Sequence, residues 1–322
     1  MVLRGRRQFV LATGALIVAP LLAKAQPARR PYRVGILATE SGEDYQQSLR
    51  DLGYVPGRDI VFIVRLIRGQ AQRLDEFAAD LVREKVDVIV APTPAAVLSA
   101  KRATATIPIV MVHTPDPVQL GLVASLAKPG GNVTGTTTLS TDLSIKQLEL
   151  VNNLIPGLSR VAIVVNPGNP WHPVAAPGLL AWGRTLRQSV QVVEVRAADD
   201  FDGAFRAMQA QSAQAALILA DPLTYAHRRR LAELAMKDRL PVVGSLREFA
   251  EAGFLMSYWA DGSEIVRSTA RYVDRILKGA RPESLPIEQP TKFELVINLK
   301  TAKALGLSVP QSMLVRADRV IE

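Results

Sequence analysis

Residues 73–91 read RLDEFAADLVREKVDVIVA, an amphipathic helix followed directly by a buried strand. In 73–84, apolar residues recur at offsets of 0, 3, 4, 7 and 8, which places them on one face of a helix. They are Leu74, Phe77, Ala78, Leu81 and Val82. Residues 86–91 are almost wholly apolar, as is typical of a parallel strand that is covered on both faces. This unit of helix and buried strand predicts an α/β architecture.

The same alternation runs along the rest of the chain in two series. Short apolar runs predict strands at 33–38, 60–66, 86–91, 109–112 and 133–139, then at 160–165, 191–195, 215–219, 241–244, 254–257 and 294–297. Stretches with helical spacing, such as 201–210, separate them, so parallel sheets with helices on both faces are expected. Trp171 and His172 are expected in a proline-rich loop, with the next helix near 179–188. With 322 residues, the chain has the length of two domains. The pattern predicts two doubly wound parallel-sheet lobes.

The N-terminus has the features of an export signal, which we assign to residues 1–25. Arg4, Arg6 and Arg7 form a basic start, an apolar run follows at 9–22, and AKA at 23–25 offers small residues for cleavage before Gln26. The apolar run is too short for a stop-transfer helix. An uncleaved anchor or a buried helix is the alternative interpretation. The paired arginines resemble a twin-arginine signal, and the general secretory route stays open.

Composition excludes several classes of protein. There is no cysteine, so disulfides, thiolate metal sites and a lipoprotein anchor are excluded. The formal net charge of +9 falls to +5 once the four basic residues of 1–25 are set aside. The remaining basic residues are scattered and form no aromatic-interleaved stripe, which argues against nucleic-acid binding. We expect a mildly basic, soluble, periplasmic protein that does not itself span a membrane.

Catalytic motifs are not found in this sequence. His113, His172 and His227 are far apart in sequence, and none belongs to a metal-binding pair on one helix. The chain has no Gly-x-Ser-x-Gly elbow, no phosphate-binding loop and no dinucleotide fingerprint. We therefore expect a non-enzyme with no catalytic residues, no metal and no cofactor.

The predicted ligand site lies after the carboxyl ends of the strands, where ligands bind in open α/β sheets. The residues there are small, polar or proline, suited to hydrogen bonds with a small solute. The predicted ligand-binding residues are Thr39, Glu40, Thr93, Pro94, Thr114, Asp116, Asn166, Asn169, Asp221, Ser245 and Tyr258. Each could instead be a helix cap or a turn residue. Asp116 is the first candidate, because it is expected to face Asp221 and Asn166 across a cleft and to bind a ligand amino group.

A series of ordered motifs carries a family resemblance. They are GYVPG (53–57), VDVIVA (86–91), IPIVMV (107–112), GLVASLA (121–127), PGGNVTG (129–135) and PTKFELVIN (290–298), with Asp-Pro or Asn-Pro pairs at 116, 166 and 221. Together they resemble the ABC transporter substrate-binding proteins of the tryptophan/tyrosine-type group, which have the type I periplasmic-binding fold. The resemblance covers residues 32–322 and is weakest at Trp171, His172 and Trp259, where smaller residues are usual. A bulky aromatic side chain there could stack on an aromatic ligand or fill the space of a larger one.

The resemblance implies a receptor whose lobes close on a small molecule and present it to ABC permease subunits in the inner membrane. It also implies a three-segment hinge, with crossings near 136–140, 258–261 and 285–291. Lobe 1 would then comprise 31–138 and 260–287, and lobe 2 would comprise 139–259 and 288–322. An aromatic amino acid or a related compound is the implied ligand, and we expect a monomer. The alternative is an exported enzyme or a ligand-sensing module on the same fold.

Overall fold

The structure is a computed structural model that describes residues 30–39, 41–67, 70–138 and 140–322. The predicted export signal at 1–25 and the predicted site residue Glu40 lie outside the described residues. No helix in the described part of the chain combines the length and the apolar character that a membrane crossing requires.

Twelve strands form two sheets in the described residues. The strands are β1 (Tyr32–Ala38), β2 (Ile60–Leu66), β3 (Val88–Ala91), β4 (Ile109–Pro115), β5 (Val133–Thr138), β6 (Arg160–Val165), β7 (Ser189–Glu194), β8 (Ala215–Ile218), β9 (Val242–Gly244), β10 (Met256–Ala260), β11 (Phe293–Asn298) and β12 (Arg319–Ile321). The first sheet has the order β2-β1-β3-β4-β5, and the second has the order β12-β11-β10-β9-β8-β6-β7. Neighbouring strands that are distant in sequence require crossovers, and helices supply them.

The described residues also form twelve α-helices. They are α1 (Glu43–Asp51), α2 (Leu74–Arg83), α3 (Pro94–Ala103), α4 (Ser140–Leu154), α5 (His172–Thr185), α6 (Phe201–Ala210), α7 (Pro222–Ala226), α8 (Arg228–Lys237), α9 (Arg247–Ala252), α10 (Gly262–Leu277), α11 (Leu299–Leu305) and α12 (Gln311–Leu314). On the first sheet, α2 and α3 cover one face, and α1 and α10 cover the other. On the second sheet, α4 and α5 lie opposite α6, α8 and α9. Each sheet therefore has apolar layers on both faces, which confirms the predicted α/β fold with two doubly wound lobes.

Local sequence explains several element boundaries. Thr93 begins α3 because its Oγ1 accepts a hydrogen bond from the Ala96 amide at 3.1 Å, with Pro94 at the first helical position. Asp261 begins α10 in the same way and accepts from the amides of Ser263 (2.8 Å) and Glu264 (3.1 Å). Both caps lie at carboxyl edges of the sheets, so they also help to shape the region where a ligand is expected.

Several strand bounds differ from the predicted ones by up to three residues, as in β4 and β10, and three larger differences concern whole elements. Helix α5 begins at His172, where a proline-rich loop was predicted, because Pro173 lies in the first turn, where its missing N–H costs nothing. Strand β11 runs antiparallel to β10, so the second sheet is not wholly parallel. The short elements α12 and β12 follow β11 and were not predicted.

The segment after α10 returns to the first sheet beside β5. The Thr137 amide donates to the Glu288 carbonyl at 2.9 Å, and the Glu288 amide donates to the Gly135 carbonyl at 3.2 Å. Gly135 has a φ of +129°, and a Cβ there would lie 2.2 Å from the Met111 carbonyl oxygen. Only glycine fits this position, where β4, β5 and the returning segment meet.

Candidate ligand-binding cleft

A cavity of about 730 Å³ lies between the carboxyl ends of the two sheets. This volume is within the range of small-molecule sites. Residues from the ends of β1, β3 and β4 form one wall, and residues after β8, β9 and β10 contribute to the other. The cavity is therefore where the strand-end argument placed the ligand site.

Asp221 is a buried carboxylate in the wall of this cavity, with 7% of its surface exposed. Its Oδ1 accepts hydrogen bonds from the Asn166 side-chain amide (3.0 Å) and the Leu223 backbone amide (2.9 Å). Its Oδ2 accepts from the Asn169 side-chain amide at 3.0 Å. No lysine or arginine of the described residues forms an ion pair with it. The carboxylate is thus held by neutral donors on the second sheet's edge.

His172 supports the loop that carries these asparagines. Its Nδ1 accepts a hydrogen bond from the Asn166 backbone amide at 2.8 Å, so Nε2 carries the proton and donates to the Ala220 carbonyl at 3.2 Å. The ring is 1% exposed, and this burial lowers its pKa, while the nearby negative charge of Asp221 opposes that shift. Neutral His172 therefore connects the loop after β6 to the loop after β8 through these two hydrogen bonds.

Asp116 pairs with Trp171 at the edge of the cavity. Trp171 Nε1 donates to Asp116 Oδ2 at 3.3 Å. Trp171 lines the cavity, whereas Asp116 is half-buried and is not among the lining residues. Burial raises the pKa of the Asp116 carboxyl, and the hydrogen bond from Trp171 opposes this shift.

Aromatic and charged side chains complete the cavity wall. Tyr45, Trp171, Tyr225 and Trp259 contribute rings, and Trp259 is only 8% exposed. An ion pair between Arg247 and Glu294, with nitrogen and oxygen 2.8 Å apart, lies on the same wall. The two tryptophans are recognisable in the sequence as departures from the family pattern, whereas the ion pair is not. Its partners lie on α9 and β11, so no local pattern links them.

The predicted site residues fall into three groups. Six line the cavity: Thr39, Thr93, Pro94, Asn169, Asp221 and Ser245. Asn166 and Asp116 are not among the lining residues, and each forms a hydrogen bond with a residue that is. Thr114 is fully buried outside the cavity, and the Tyr258 ring stacks on Phe293 with centroids 6.0 Å apart. Contact with a ligand stays a prediction for each of them, and for Glu40.

The cavity has the composition of a binding site for a polar solute. Within the described residues, no cluster of histidine, aspartate and glutamate could hold a metal ion. The groups that line the cavity include the buried carboxylate of Asp221, the hydroxyls of Thr93 and Ser245, and several aromatic rings. These groups suit a small molecule with a cationic group and an apolar body.

Residues 35–321 match the family described as ABC transporter substrate binding protein. The chain belongs to this family. It is the solute-binding component of an ABC transport system, whose partners are a small-molecule ligand and permease subunits. The match extends over nearly the whole of both lobes.

Three similar proteins illustrate the relationship. The chain is 26% identical over 262 residues to a tyrosine-binding protein of Clostridioides difficile (strain R20291), covering 81% of this chain and 75% of that protein. A crystal structure of a conserved domain protein from Vibrio cholerae has a TM-score of 0.82 and 27% identity, covering 90% and 99% of the two chains. An ABC domain from Streptococcus pneumoniae in complex with L-Trp has a TM-score of 0.84 at 22% identity, covering 90% and 100%.

Proposed function

We propose that this substrate-binding protein is an exported receptor for an amino acid with an aromatic side chain. The observation that carries the proposal is Asp221, a buried carboxylate that lines the cavity and forms no ion pair with the described residues. A buried charge is costly unless it is paired. The ammonium group of an amino acid would supply the missing charge.

The hydrogen bonds of Asp221 leave room for such a group. A carboxylate has about four acceptor positions, and Asn166, Asn169 and the Leu223 amide occupy three of them. The position left is on Oδ2, for which Asn169 is the one donor among the described residues. An ammonium hydrogen there would make a charge-assisted bond, about twice as strong as a neutral one. Asn166 and Asn169 then act to position the carboxylate.

The rings around the cavity support an aromatic ligand. Trp171, Trp259, Tyr45 and Tyr225 offer faces and edges against which a ligand ring can pack. The named relatives point the same way, since one is described as binding tyrosine and another was solved with L-Trp. Thr39, Thr93, Pro94 and Ser245 are the remaining proposed contacts. The hydroxyl of Thr93 already accepts from Ala96, so its hydrogen is available to donate.

The proposed division into lobes follows the crossings between the sheets. Lobe 1 comprises 31–138 and 260–287, and lobe 2 comprises 139–259 and 288–322, with the cavity between them. Helix α10 packs on β3, β4 and β5, which supports its assignment to lobe 1. Rotation about these crossings would close the cleft on the ligand, as is usual in two-domain receptors.

We further propose that residues 1–25 direct export to the periplasm and are removed there. The mature protein would be a monomer that delivers its ligand to permease subunits in the inner membrane. The basic start, the short apolar run and AKA at 23–25 support this proposal.

Calorimetry on the purified mature protein tests the ligand class. We expect L-Trp, L-Tyr or L-Phe to bind, and Asp221→Asn to weaken that binding at least tenfold, since hydrogen bonds to charged groups contribute about 1.5–3 kcal/mol. A matched control is Asp202→Asn, which removes a surface carboxylate paired with Arg230. Equal affinity in the Asp221→Asn variant, or no binding of any aromatic amino acid to wild type, would contradict the proposal.

A further inference from the structure

The backbone at the end of β4 has an unusual conformation. Six non-glycine residues in the described ranges have a positive φ. Four of these each lie two residues beyond the end of a helix, where a left-handed residue is common: Lys85, Arg187, Ser212 and Arg239. The other two, His113 (φ +44°) and Asp116 (φ +41°), lie in and just after β4. No helix end accounts for them.

The pairing of β4 with β5 explains how this conformation arises. The register shifts between Met111 and Thr114, so β4 carries an irregularity there. Buried threonines of β5 hold the irregular segment, since the His113 amide donates to Thr136 Oγ1 at 2.9 Å and Thr138 Oγ1 donates to the His113 carbonyl at 3.4 Å. Bulges of this kind redirect a side chain and are common beside binding sites. Strained backbone likewise concentrates at ligand sites.

The redirected side chain is the His113 imidazole, which lines the cavity. Its Nδ1 has no hydrogen-bond partner among the described residues. Burial lowers the pKa of His113 to about 4. The ring is therefore neutral at pH 7, with one nitrogen able to donate and the other able to accept.

Most of the residues that line the cavity wall near His113 in the first sheet are apolar, with Thr93 between two prolines as the exception. Pro92 and Pro94 follow the neighbouring strand β3, and Val112 and Pro115 lie on β4 itself, all in the same cavity wall. This wall suits the ring of a ligand, whereas Asp221, on the second sheet, suits its ammonium group. A neutral imidazole in a largely apolar wall is a fitting acceptor for an N–H or O–H on that ring.

We propose that His113 is a specificity-determining residue that accepts a hydrogen bond from a polar N–H or O–H on the ligand's aromatic ring. The inference rests on the proposed function. It adds that His113 recognises the aromatic end of the ligand. Aromatic amino acids with a ring donor then bind more tightly than isosteric ones without a donor. The imidazole acts with its backbone already held in place by β5, so little conformational entropy is lost on binding.

Two matched pairs of ligands test this inference by calorimetry. L-Tyr and L-Phe differ by a phenol hydroxyl, and L-Trp and β-(3-benzothienyl)-L-alanine differ by a sulfur in place of the indole N–H. The comparison is made within the pair that wild type binds more tightly. In that pair we expect the ligand with the ring donor to have a Kd about tenfold lower than its partner, the effect of one hydrogen bond in a buried site. The variant His113→Gly accepts the positive φ and removes the ring. In this variant the Kd values of the two ligands should differ by less than twofold. The affinity for the ligand without a donor should stay within about threefold of wild type.

Two further variants complete the experiment. His113→Asn also tolerates a left-handed backbone, and it replaces His113→Gly if that variant does not fold. The control His227→Asn changes a histidine outside the cavity wall and should keep the full preference. Binding without any preference in wild type, or a preference that survives loss of the imidazole, overturns the role of His113 alone. Failure of all four ligands to bind wild type overturns the proposed function and this inference with it.

Discussion

Trp171 donates its indole hydrogen to Asp116 across 3.3 Å, and the two residues belong to elements of different sheets. Asp116 follows β4 of the first sheet, and Trp171 precedes α5 on the second. The sequence argument assigned Asp116 to the ligand, but the structure gives its carboxylate a partner within the protein. The contact therefore links the two sides of the cavity.

We expect Trp171→Phe to raise the pKa of Asp116 further. Burial already raises this pKa, and the indole hydrogen bond is one of the interactions that oppose the shift. Phenylalanine keeps an aromatic ring but cannot donate. A carboxyl ¹³C NMR titration measures the change, and Trp182→Phe, a substitution inside α5, is the control that should leave the pKa of Asp116 unaltered. A pKa that stays the same or falls would show that the bond does not stabilise the ionised carboxylate.

Replacing Asp116 with asparagine is expected to flatten part of the pH dependence of stability. The folded state holds the Asp116 proton to a higher pH than the unfolded chain, so this residue makes the free energy of unfolding fall as pH rises through the folded pKa. Asp116→Asn removes that fall and can still accept the indole hydrogen bond. Urea unfolding at several pH values between 4 and 7 measures the difference. A steeper fall in the variant would be the opposite of the expected result.

His113 and His172 should destabilise the protein in mild acid. Burial lowers both pKa values, that of His113 to about 4. Between pH 6.5 and 4 the unfolded chain binds protons that the folded state does not, so stability falls as pH falls. For His113 the loss is on the order of 2–3 kcal/mol at pH 4.5, from about 1.4 kcal/mol per pKa unit. His113→Asn should remove this part of the loss in urea unfolding, and an unchanged pH dependence would refute it.

Gly135→Ala is expected to destabilise the junction of β4 and β5. An alanine Cβ would lie 2.2 Å from the Met111 carbonyl oxygen, at a φ of +129°. Strain of this kind costs about 1–3 kcal/mol. Gly131→Ala is the matched control, since a Cβ there has nothing within 4 Å. Thermal unfolding should show a clear drop for the first variant and almost none for the second, and equal melting temperatures would contradict the role of Gly135.

Export can be tested independently of ligand binding. We expect the mature chain to begin at or near Gln26 and to be found in the soluble periplasmic fraction. N-terminal sequencing and fractionation measure both. Conversion of Arg6 and Arg7 to lysine should block export through the twin-arginine route. Unchanged export of that variant would indicate the general secretory route, and a full-length protein in the membrane would contradict the cleaved signal.

Much of the architecture was predictable because its determinants are local. Strands β2 (Ile60–Leu66) and β6 (Arg160–Val165) and helix α6 (Phe201–Ala210) begin and end where the apolar pattern predicts. Apolar periodicity depends on residues a few positions apart, and burial on both faces enforces it. The start of α5 at His172 was missed, because Pro173 in its first turn and Pro177 further inside it are typical of a loop in sequence.

By itself, the sequence determined the α/β alternation, the two series of strands and the edge at which a ligand site would form. Only the tertiary structure decided which side chains meet there. Asp221 meets Asn166 and Asn169, 55 and 52 residues away, and Asp116 meets Trp171 rather than open cavity. The order of the strands and the backbone angles of the residues after each strand determine which of these side chains are in contact. The left-handed turn at His113 depends on buried threonines of a neighbouring strand, a packing interaction between residues 23 and 25 positions apart that no local pattern encodes.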